Sequence, residues 1–320
     1  MELPQQLRTA VEAEVSALPG GLLAKLADGI TCRYRTNAPG EGRKFLTTAD
    51  EVAAYAAFRL PSTYAAVKAS LLQAKERLPQ WAPQSQLDVG AGPGTALWAA
   101  SSVWPMIKEF TAMERDDAMM ALGRRLGEQS PLPALQEAQW LKADITGQWD
   151  TPAHSLVTAS YVLGELAQQS GALVRRLWEK TQELLVIVEP GTQAGYANIM
   201  QARSLLLSLG ASIIAPCPHG QPCPMAGDWC HFSQRVARSR LHRQLKGAEL
   251  SYEDEKYSYL CAAKRIGSPI NGRVIRHPQT RKGHVCLKLC TVSGLEEKTI
   301  SRKDGELYKR AKDLSWGDGF

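Results

Sequence analysis

The stretch Leu87-Asp88-Val89-Gly90-Ala91-Gly92-Pro93-Gly94-Thr95 decides the fold. An apolar strand runs into an acidic residue and then into glycines at every second position. That pattern lets the backbone turn tightly, approach a bound group closely and open a helix whose N-terminus supplies a favourable field. No Gly-Lys-Ser/Thr follows, so this is not a phosphate-binding Walker loop. The dinucleotide fingerprint has its third glycine three residues after the second, where Thr95 stands instead.

Downstream of Gln86, short apolar runs alternate with helix-length segments, the signature of a parallel α/β sheet. The runs are Gln86 to Val89, Glu109 to Met113, Trp140 to Ala143, Leu156 to Ser160 and Leu184 to Val188, which predict a doubly wound sheet. A helix from Asn198 to Leu209 leads to a sixth strand at Ala211 to Ala215, and Tyr257 to Ala262 reads as a seventh. Upstream, residues 1–80 have helical spacing: Leu7, Val11, Val15 and Leu18 precede a Pro-Gly-Gly break. Thr47-Thr48 then caps an Ala-rich stretch, and Pro61 is expected to restart a further helix. The expected division is a helical N-terminal region (1–80), a core (81–265) with a cysteine-rich insertion (216–250), and a β-rich basic extension (266–320). In that extension Val285, Leu287 and Leu289 alternate with Cys286, Lys288 and Cys290.

The glycine loop resembles the first motif of class I S-adenosylmethionine-dependent methyltransferases, an acid followed by Gly-x-Gly-x-Gly. The rest of that fold's acidic ladder is in register. Glu114 closes the second strand, where the resemblance implies a carboxylate for both ribose hydroxyls. Asp144 and Ile145 close the third, where an acid and its apolar neighbour bracket the adenine. The implied cofactor set is Asp88, Gly90, Ala91, Gly92, Gly94, Glu114, Asp144, Ile145 and Tyr161.

A content of 44% hydrophobic and 22% charged residues, with no apolar run approaching the ~20 residues that span a bilayer, describes a globular chain without membrane segments. The N-terminus has neither a secretory nor a transit layout, so a bacterial-type cytoplasm is expected, with the protein a monomer. The formal charge of +6 is uneven: residues 231–320 hold 19 Lys/Arg against 10 Asp/Glu. A basic region of that kind suits a phosphate backbone.

Seven cysteines in a reducing compartment argue against a disulfide framework. Cys217, Cys223 and Cys230 are separated by five and six residues and broken by Pro218, Pro222 and Pro224. Structural zinc sites favour closer pairs, whereas an irregular loop around an iron–sulfur cluster fits better. The fourth thiolate is then Cys290, Cys286, Cys261 or Cys32, and His219 and His231 keep zinc as an alternative. The segment Ser233 to Lys246 reads as an amphipathic basic helix with Arg235, Arg238 and His242 at i, i+3 and i+7. Arg235, Arg238, Arg240 and Arg243 are its candidate RNA contacts.

Further features of the sequence are similar to one family: Ala57-Phe58-Arg59-Leu60-Pro61-Ser62-Thr63-Tyr64, the proline-laced cysteines, Gly283-His284-Val285, Leu289-Cys290-Thr291 and Trp316-Gly317-Asp318. It is the methyltransferase-like family of mitochondrial small-ribosomal-subunit assembly proteins and their bacterial relatives. The resemblance implies a class I methyltransferase core, a four-iron four-sulfur cluster on Cys217, Cys223, Cys230 and Cys290, and binding to small-subunit ribosomal RNA. It is compatible both with an RNA methyltransferase and with a non-catalytic assembly factor. After the fourth strand, Ser160-Tyr161-Val162-Leu163-Gly164-Glu165 carries neither an Asn/Asp-Pro-Pro-aromatic motif nor a Pro-Cys nucleophile, so no catalytic residue is assigned. Tyr161 and Glu165 are candidates for the pocket wall, and Glu189 reads as an acid that fixes a loop.

Overall fold

The computed structural model describes residues 1–36, 46, 48–166, 169–245 and 249–320, apart from the side chains of 31, 33–36, 240, 244 and 245. Thr47, Lys246 and the side chain of Arg240, all used above, lie outside the described residues. The chain opens with three helices, α1 (Gln5–Val15), α2 (Gly20–Thr36) and α3 (Ala49–Arg77). The core follows as β1 (Ser85–Val89), α4 (Thr95–Val103), β2 (Glu109–Glu114), α5 (Asp117–Glu128), the short α6 (Pro133–Gln136) and β3 (Gln139–Lys142). Then come β4 (His154–Ser160), α7 (Ser170–Glu179), β5 (Thr181–Pro190), α8 (Gln193–Ser208) and β6 (Ser212–Ala215). Past the cysteine loop are β7 (Phe232–Ala237), α9 (Arg240–Leu245) and β8 (Tyr252–Ala263). The C-terminal part holds β9 (Gly272–Val274), β10 (Gln279–Arg281), β11 (His284–Thr291), β12 (Gly294–Ser301) and α10 (Glu306–Asp313). That last helix falls within the extension expected to be β-rich.

The main sheet has the order β3-β2-β1-β4-β5-β8-β6, with β7 also on β8. Strands β1 to β5 are parallel, and β8 is antiparallel to β5, β6 and β7. This is the α/β arrangement of class I methyltransferase type that the glycine loop implied. Burial explains the strand texture. Along β4 and β5, Leu156, Leu184, Val186 and Val188 enter one core, shared with α1 to α5, while Val157, Ala159, Leu185 and Ile187 enter another, shared with α7 and α8. A sheet covered on both faces needs apolar residues at nearly every position. The C-terminal strands form a second sheet with a small core of Val274, Val285, Leu287, Leu289, Ile300, Ala311 and Phe320.

Two local expectations are corrected. Helix α3 does not restart at Pro61 but runs through it for 29 residues. An interior proline costs about 3 kcal/mol, whereas a fully buried Leu or Val contributes about 1.5–3 kcal/mol. Leu60, Val67 and Leu71, each at most 1% exposed, outweigh the lost bond. The segment from Ser233 is not a helix either. Residues Phe232–Ala237 pair antiparallel with Tyr252–Tyr257 of β8, and only Arg240–Leu245 is helical. Phe232 and Val236 are both buried, and a spacing of four puts residues on one face of a strand as well as of a helix, so periodicity did not separate the two. Among the described residues no helix is long and apolar enough to cross a membrane.

Candidate functional site

In an open doubly wound sheet the crevice for a ligand lies beyond the carboxyl ends of the strands, where the connections diverge. Here that point lies between β1 and β4, and the glycine loop leaves β1 there. Gly90, Gly92 and Gly94 have φ of +72°, +53° and +78°. At Gly90 the absence of Cβ is also steric, since one would stand 2.4 Å from Val162 Cγ1. Gly94 opens α4 as its N-cap. The amides of Gly90 and Ala91 donate to Met113 O at 3.0 and 2.9 Å, which binds the loop to the end of β2.

Glu114 completes that attachment. Its Oε2 accepts from Gly92 N at 2.9 Å, and its Oε1 from Arg115 N at 2.8 Å and Asp116 N at 3.0 Å. A carboxylate has about four acceptor positions, so one is left, room for one ligand hydroxyl where the resemblance implied two. Asp144, just beyond β3, is exposed and accepts from Thr146 N and Oγ1 at 2.9 and 2.7 Å, with Arg115 at 3.5 Å. Those hydrogen bonds, then Arg115, hold its carboxyl below the usual range. Ile145 is half-buried against the core shared with α7 and α8. Asp88 is different: it is 2% exposed and its Oδ1 accepts from Thr158 Oγ1 at 2.7 Å, inside the sheet. Burial pushes its pKa up to about 7, partly offset by the Thr158 bond.

The end of β4 is closed by a network that sequence reasoning missed. Tyr161 is the one non-glycine residue with positive φ, +61°, among the described residues. Its hydroxyl donates to Glu255 Oε1 at 2.9 Å, and the Arg59 guanidinium lies 4.8 Å from its ring centre. Arg59 also holds Glu255 through two bonds of 3.1 and 2.9 Å. The Arg59 of the Phe-Arg-Leu-Pro-Ser-Thr-Tyr motif thus joins α3 to β8, and Ser62 does the same by donating to Glu253 Oε1 at 2.5 Å. The loop after Tyr161 is fixed as expected by Glu189, which accepts from Leu163 N, Gly164 N and Asn198 Nδ2 at 3.0, 3.2 and 3.2 Å. Glu165 is exposed at its rim.

The second site is a cavity lined by Cys217, Cys223, Cys230 and Cys290, with Tyr196, Met200, Arg203 and Arg273 among its other walls. Strands β6 and β7 lie along the same edge of β8, so the loop between them is looped out and its two ends return close together. That places Cys217, just after β6, near Cys230, just before β7. Cys290 comes from β11, directly opposite Arg273 of β9. Tyr196 of α8 meets Cys223 Sγ at 3.4 Å. Burial, then the neighbouring thiols, push the Cys230 thiol up. At Cys217 burial raises the thiol and the Arg203 charge opposes it.

The other cysteines lie elsewhere: Cys286 faces Thr299 Oγ1 at 3.5 Å, Cys261 is buried against Ser70 O and Cys32 is exposed on α2. Of the histidines, His219 Nε2 is 4.0 Å from Cys290 Sγ, whereas His231 stacks on Trp229. No three His, Cys, Asp or Glu side chains among the described residues converge on a single-ion site. Four thiols around a common cavity, backed by buried guanidinium groups, make a donor set of the right chemistry for a larger thiolate-bound group.

The arginines assigned to RNA do not share one helix: Arg235 lies in β7 and Arg238 just after it, while Arg240 and Arg243 lie in α9. Arg235 pairs with Asp254 at 2.9 Å and lies 4.0 Å from the Tyr252 ring centre, and Arg238 pairs with Glu253 at 2.9 Å where both side chains are 13% exposed. Arg243 is exposed on α9.

Comparison with known proteins gives the relationships. The family model described as mitochondrial small ribosomal subunit Rsm22 matches residues 49–320. Human ribosome assembly protein METTL17, mitochondrial, is 32% identical over 290 residues, 82% of this chain and 61% of that protein. The Rsm22-cox11 tandem protein 2, mitochondrial, of Schizosaccharomyces pombe is 27% identical over 340 residues, 89% of this chain and 45% of that one. The chain therefore spans less than two thirds of the length of the curated relatives it matches. Among solved structures, magnesium protoporphyrin IX methyltransferase of Synechocystis PCC 6803 with bound SAM aligns with 81% of this chain and 97% of that one, at TM-score 0.43 and 12% identity. The family and these relatives are mitochondrial, which overturns the expected bacterial-type cytoplasmic location. With the match running through the glycine loop, the acid-bearing strand ends and all four cavity cysteines, the chain belongs to the mitochondrial small ribosomal subunit Rsm22 family.

Proposed function

We propose that this chain is a small-ribosomal-subunit assembly protein that binds S-adenosylmethionine in the β1–β4 crevice and small-subunit ribosomal RNA on its basic surface. The observation that carries the cofactor reading is the bond from Glu114 to Gly92 N. It holds the glycine loop against a carboxylate that keeps one acceptor position for a ribose hydroxyl. Asp144 and Ile145 offer an acidic and an apolar edge for an adenine, and Asp88 stiffens the base of the loop through Thr158. Calorimetry with S-adenosylmethionine tests this: Glu114→Ala is expected to weaken binding at least tenfold, and unchanged affinity removes Glu114 from the site.

Methyl transfer is the second reading, favoured by the intact loop and acid ladder. Transfer to a nucleophile needs chiefly alignment, and Tyr161 and Arg59 already occupy each other and Glu255 at the end of the crevice. Labelled cofactor and immature small subunits separate the two. Methyl incorporation that vanishes in Gly92→Asp identifies an enzyme, and RNA binding without incorporation identifies an assembly factor.

We further assign a four-iron four-sulfur cluster to Cys217, Cys223, Cys230 and Cys290. When bound, it would cross-link the proline-broken loop to β11 and contribute folding free energy there. Around it, Arg203 Nη2 binds the carbonyls of His219 and Gln221 at 3.1 and 2.6 Å, and Trp229 Nε1 binds Gly191 O at 2.9 Å. These bonds seat the loop from which β7 departs. Arg235 and Arg243 are the arginines of this segment offered to phosphate, since an exposed pair such as Arg235 with Asp254 is worth at most about 1 kcal/mol and exchanges readily. Arg238 serves the fold through Glu253. Anaerobically purified protein is expected to be brown with about four irons per chain, and Cys230→Ser to lose the colour. Stoichiometric zinc without iron overturns the assignment.

A further inference from the structure

The thiol cavity has two cationic walls whose donors are not all used. Arg203 is 3% exposed and Arg273 is 1% exposed. Arg203 spends Nη2 on the carbonyls of His219 and Gln221. Arg273 gives Nε to Pro216 O at 2.8 Å and Nη1 to Gly317 O at 2.8 Å and to Gln73. That leaves Arg203 Nε and Arg273 Nη2 without a hydrogen-bond partner among the described residues. Both side chains line the same cavity as the four cysteines.

A buried cation with an unmet donor is costly, by several kcal/mol, unless an anion sits beside it. Within the cavity the anionic atoms available are thiolate and any sulfide held among them. A cubane bound by four thiolates carries a net charge of roughly −2, and two guanidinium groups cancel it. Arginine suits the position better than lysine. Its planar fork serves the loop carbonyls on one side and keeps a further N–H for the cavity on the other, and it stays charged when buried.

We propose that Arg203 and Arg273 are the charge partners of the cysteine-held cluster, each donating its remaining N–H to cluster sulfur or thiolate and together setting its reduction potential. The inference rests on the cluster assignment made above. It makes the two arginines positioning and tuning residues, supplied by α8 and β9 from outside the cysteine loop. Positive charge and hydrogen bonds to sulfur favour the reduced, more negative state. Their removal must therefore shift the potential downward.

The test reconstitutes the full-length chain with ferrous iron and sulfide under anaerobic conditions. It compares iron content and midpoint potential, followed by absorbance and electron paramagnetic resonance, in wild type, Arg203→Gln, Arg273→Gln, Arg203→Lys and Arg273→Lys. Each Gln variant is expected to shift the one-electron reduction equilibrium at least tenfold toward the oxidised form, about 59 mV. The Lys variants are expected to shift less than the Gln variants, because an ammonium beside the anionic cluster restores the charge but not the fork. Loss of iron in the Gln variants alone, with retention in the Lys variants, also supports the proposal. Wild-type potentials in both Gln variants overturn it. So does equal iron loss in the Gln and Lys variants, which would reduce the arginines to holding loop carbonyls. A wild-type chain that takes up no iron refutes the cluster assignment itself, a different failure from four bound irons with unmoved potentials.

Discussion

Replacing Asp88 with Asn should make the protein more stable at alkaline pH and change its pH dependence. Asp88 is buried, and desolvation pushes its carboxyl up to about 7, with Thr158 pulling the other way and the Glu114 charge adding to the rise. In the unfolded chain the same group titrates near 3.8. The folded state therefore binds more protons between about pH 4 and pH 7, and stability falls as pH rises through that window. Above it the full cost of the buried charge is present. A shift of about three units at about 1.36 kcal/mol each is about 4 kcal/mol, of which less than half has accrued by pH 5. The amide of Asn never ionises and its oxygen still accepts from Thr158. Urea unfolding at pH 5 and pH 8 should therefore show the advantage of Asp88→Asn over wild type growing by about 3 kcal/mol. Glu189, also raised to about 7 by burial, contributes the same trend to both proteins and cancels in the difference. Parallel pH profiles for the two proteins would refute the reasoning.

Two further substitutions probe the same crevice. Gly90→Ala combines a left-handed backbone with a Cβ 2.4 Å from Val162 Cγ1, and denaturant unfolding should show a loss of about 3 kcal/mol. Gly92→Ala, at φ +53° with no atom within 4 Å of the new methyl, should lose only about 1–2 kcal/mol, and an equal loss would remove the steric argument. Arg59→Ala strands Glu255 at a site where that side chain is 14% exposed. The melting transition should report a loss of about 3 kcal/mol. Adding Glu255→Gln should recover part of it, and no recovery would mean that lost packing, not an unpaired charge, is the cause.

Much of the sheet was readable because its signals are local. A strand covered on both faces must be apolar along its length, an acid at a strand end marks the carboxyl edge, and glycines at every second position report a turn whatever surrounds it. Asp88, Glu114 and Asp144 could therefore be placed at three strand ends from the sequence alone, and Glu189 could be read as a loop-fixing acid. What the sequence did not carry was which way a side chain is spent. Asp88 turns into the sheet toward Thr158, and Tyr161 is fixed by Arg59 and Glu255, from 102 residues upstream and 94 downstream.

The tertiary structure alone decided the fate of residues 232–237 and the make-up of the thiol cavity. Propensity separates helix from strand by less than about 1 kcal/mol per residue. A run with Phe232 and Val236 four apart satisfies either period, and the free edge of β8 selected the strand. That choice turned Arg235 and Arg238 from a helical face into partners of Asp254 and Glu253. In the same way, three cysteines are neighbours in sequence, but Cys290, Arg203 and Arg273 reach the cavity from β11, α8 and β9. The sequence therefore determined the chemistry of the thiols, while only long-range packing determined that two buried cations stand beside them, because a charge's partner is set by proximity in space and not by distance along the chain.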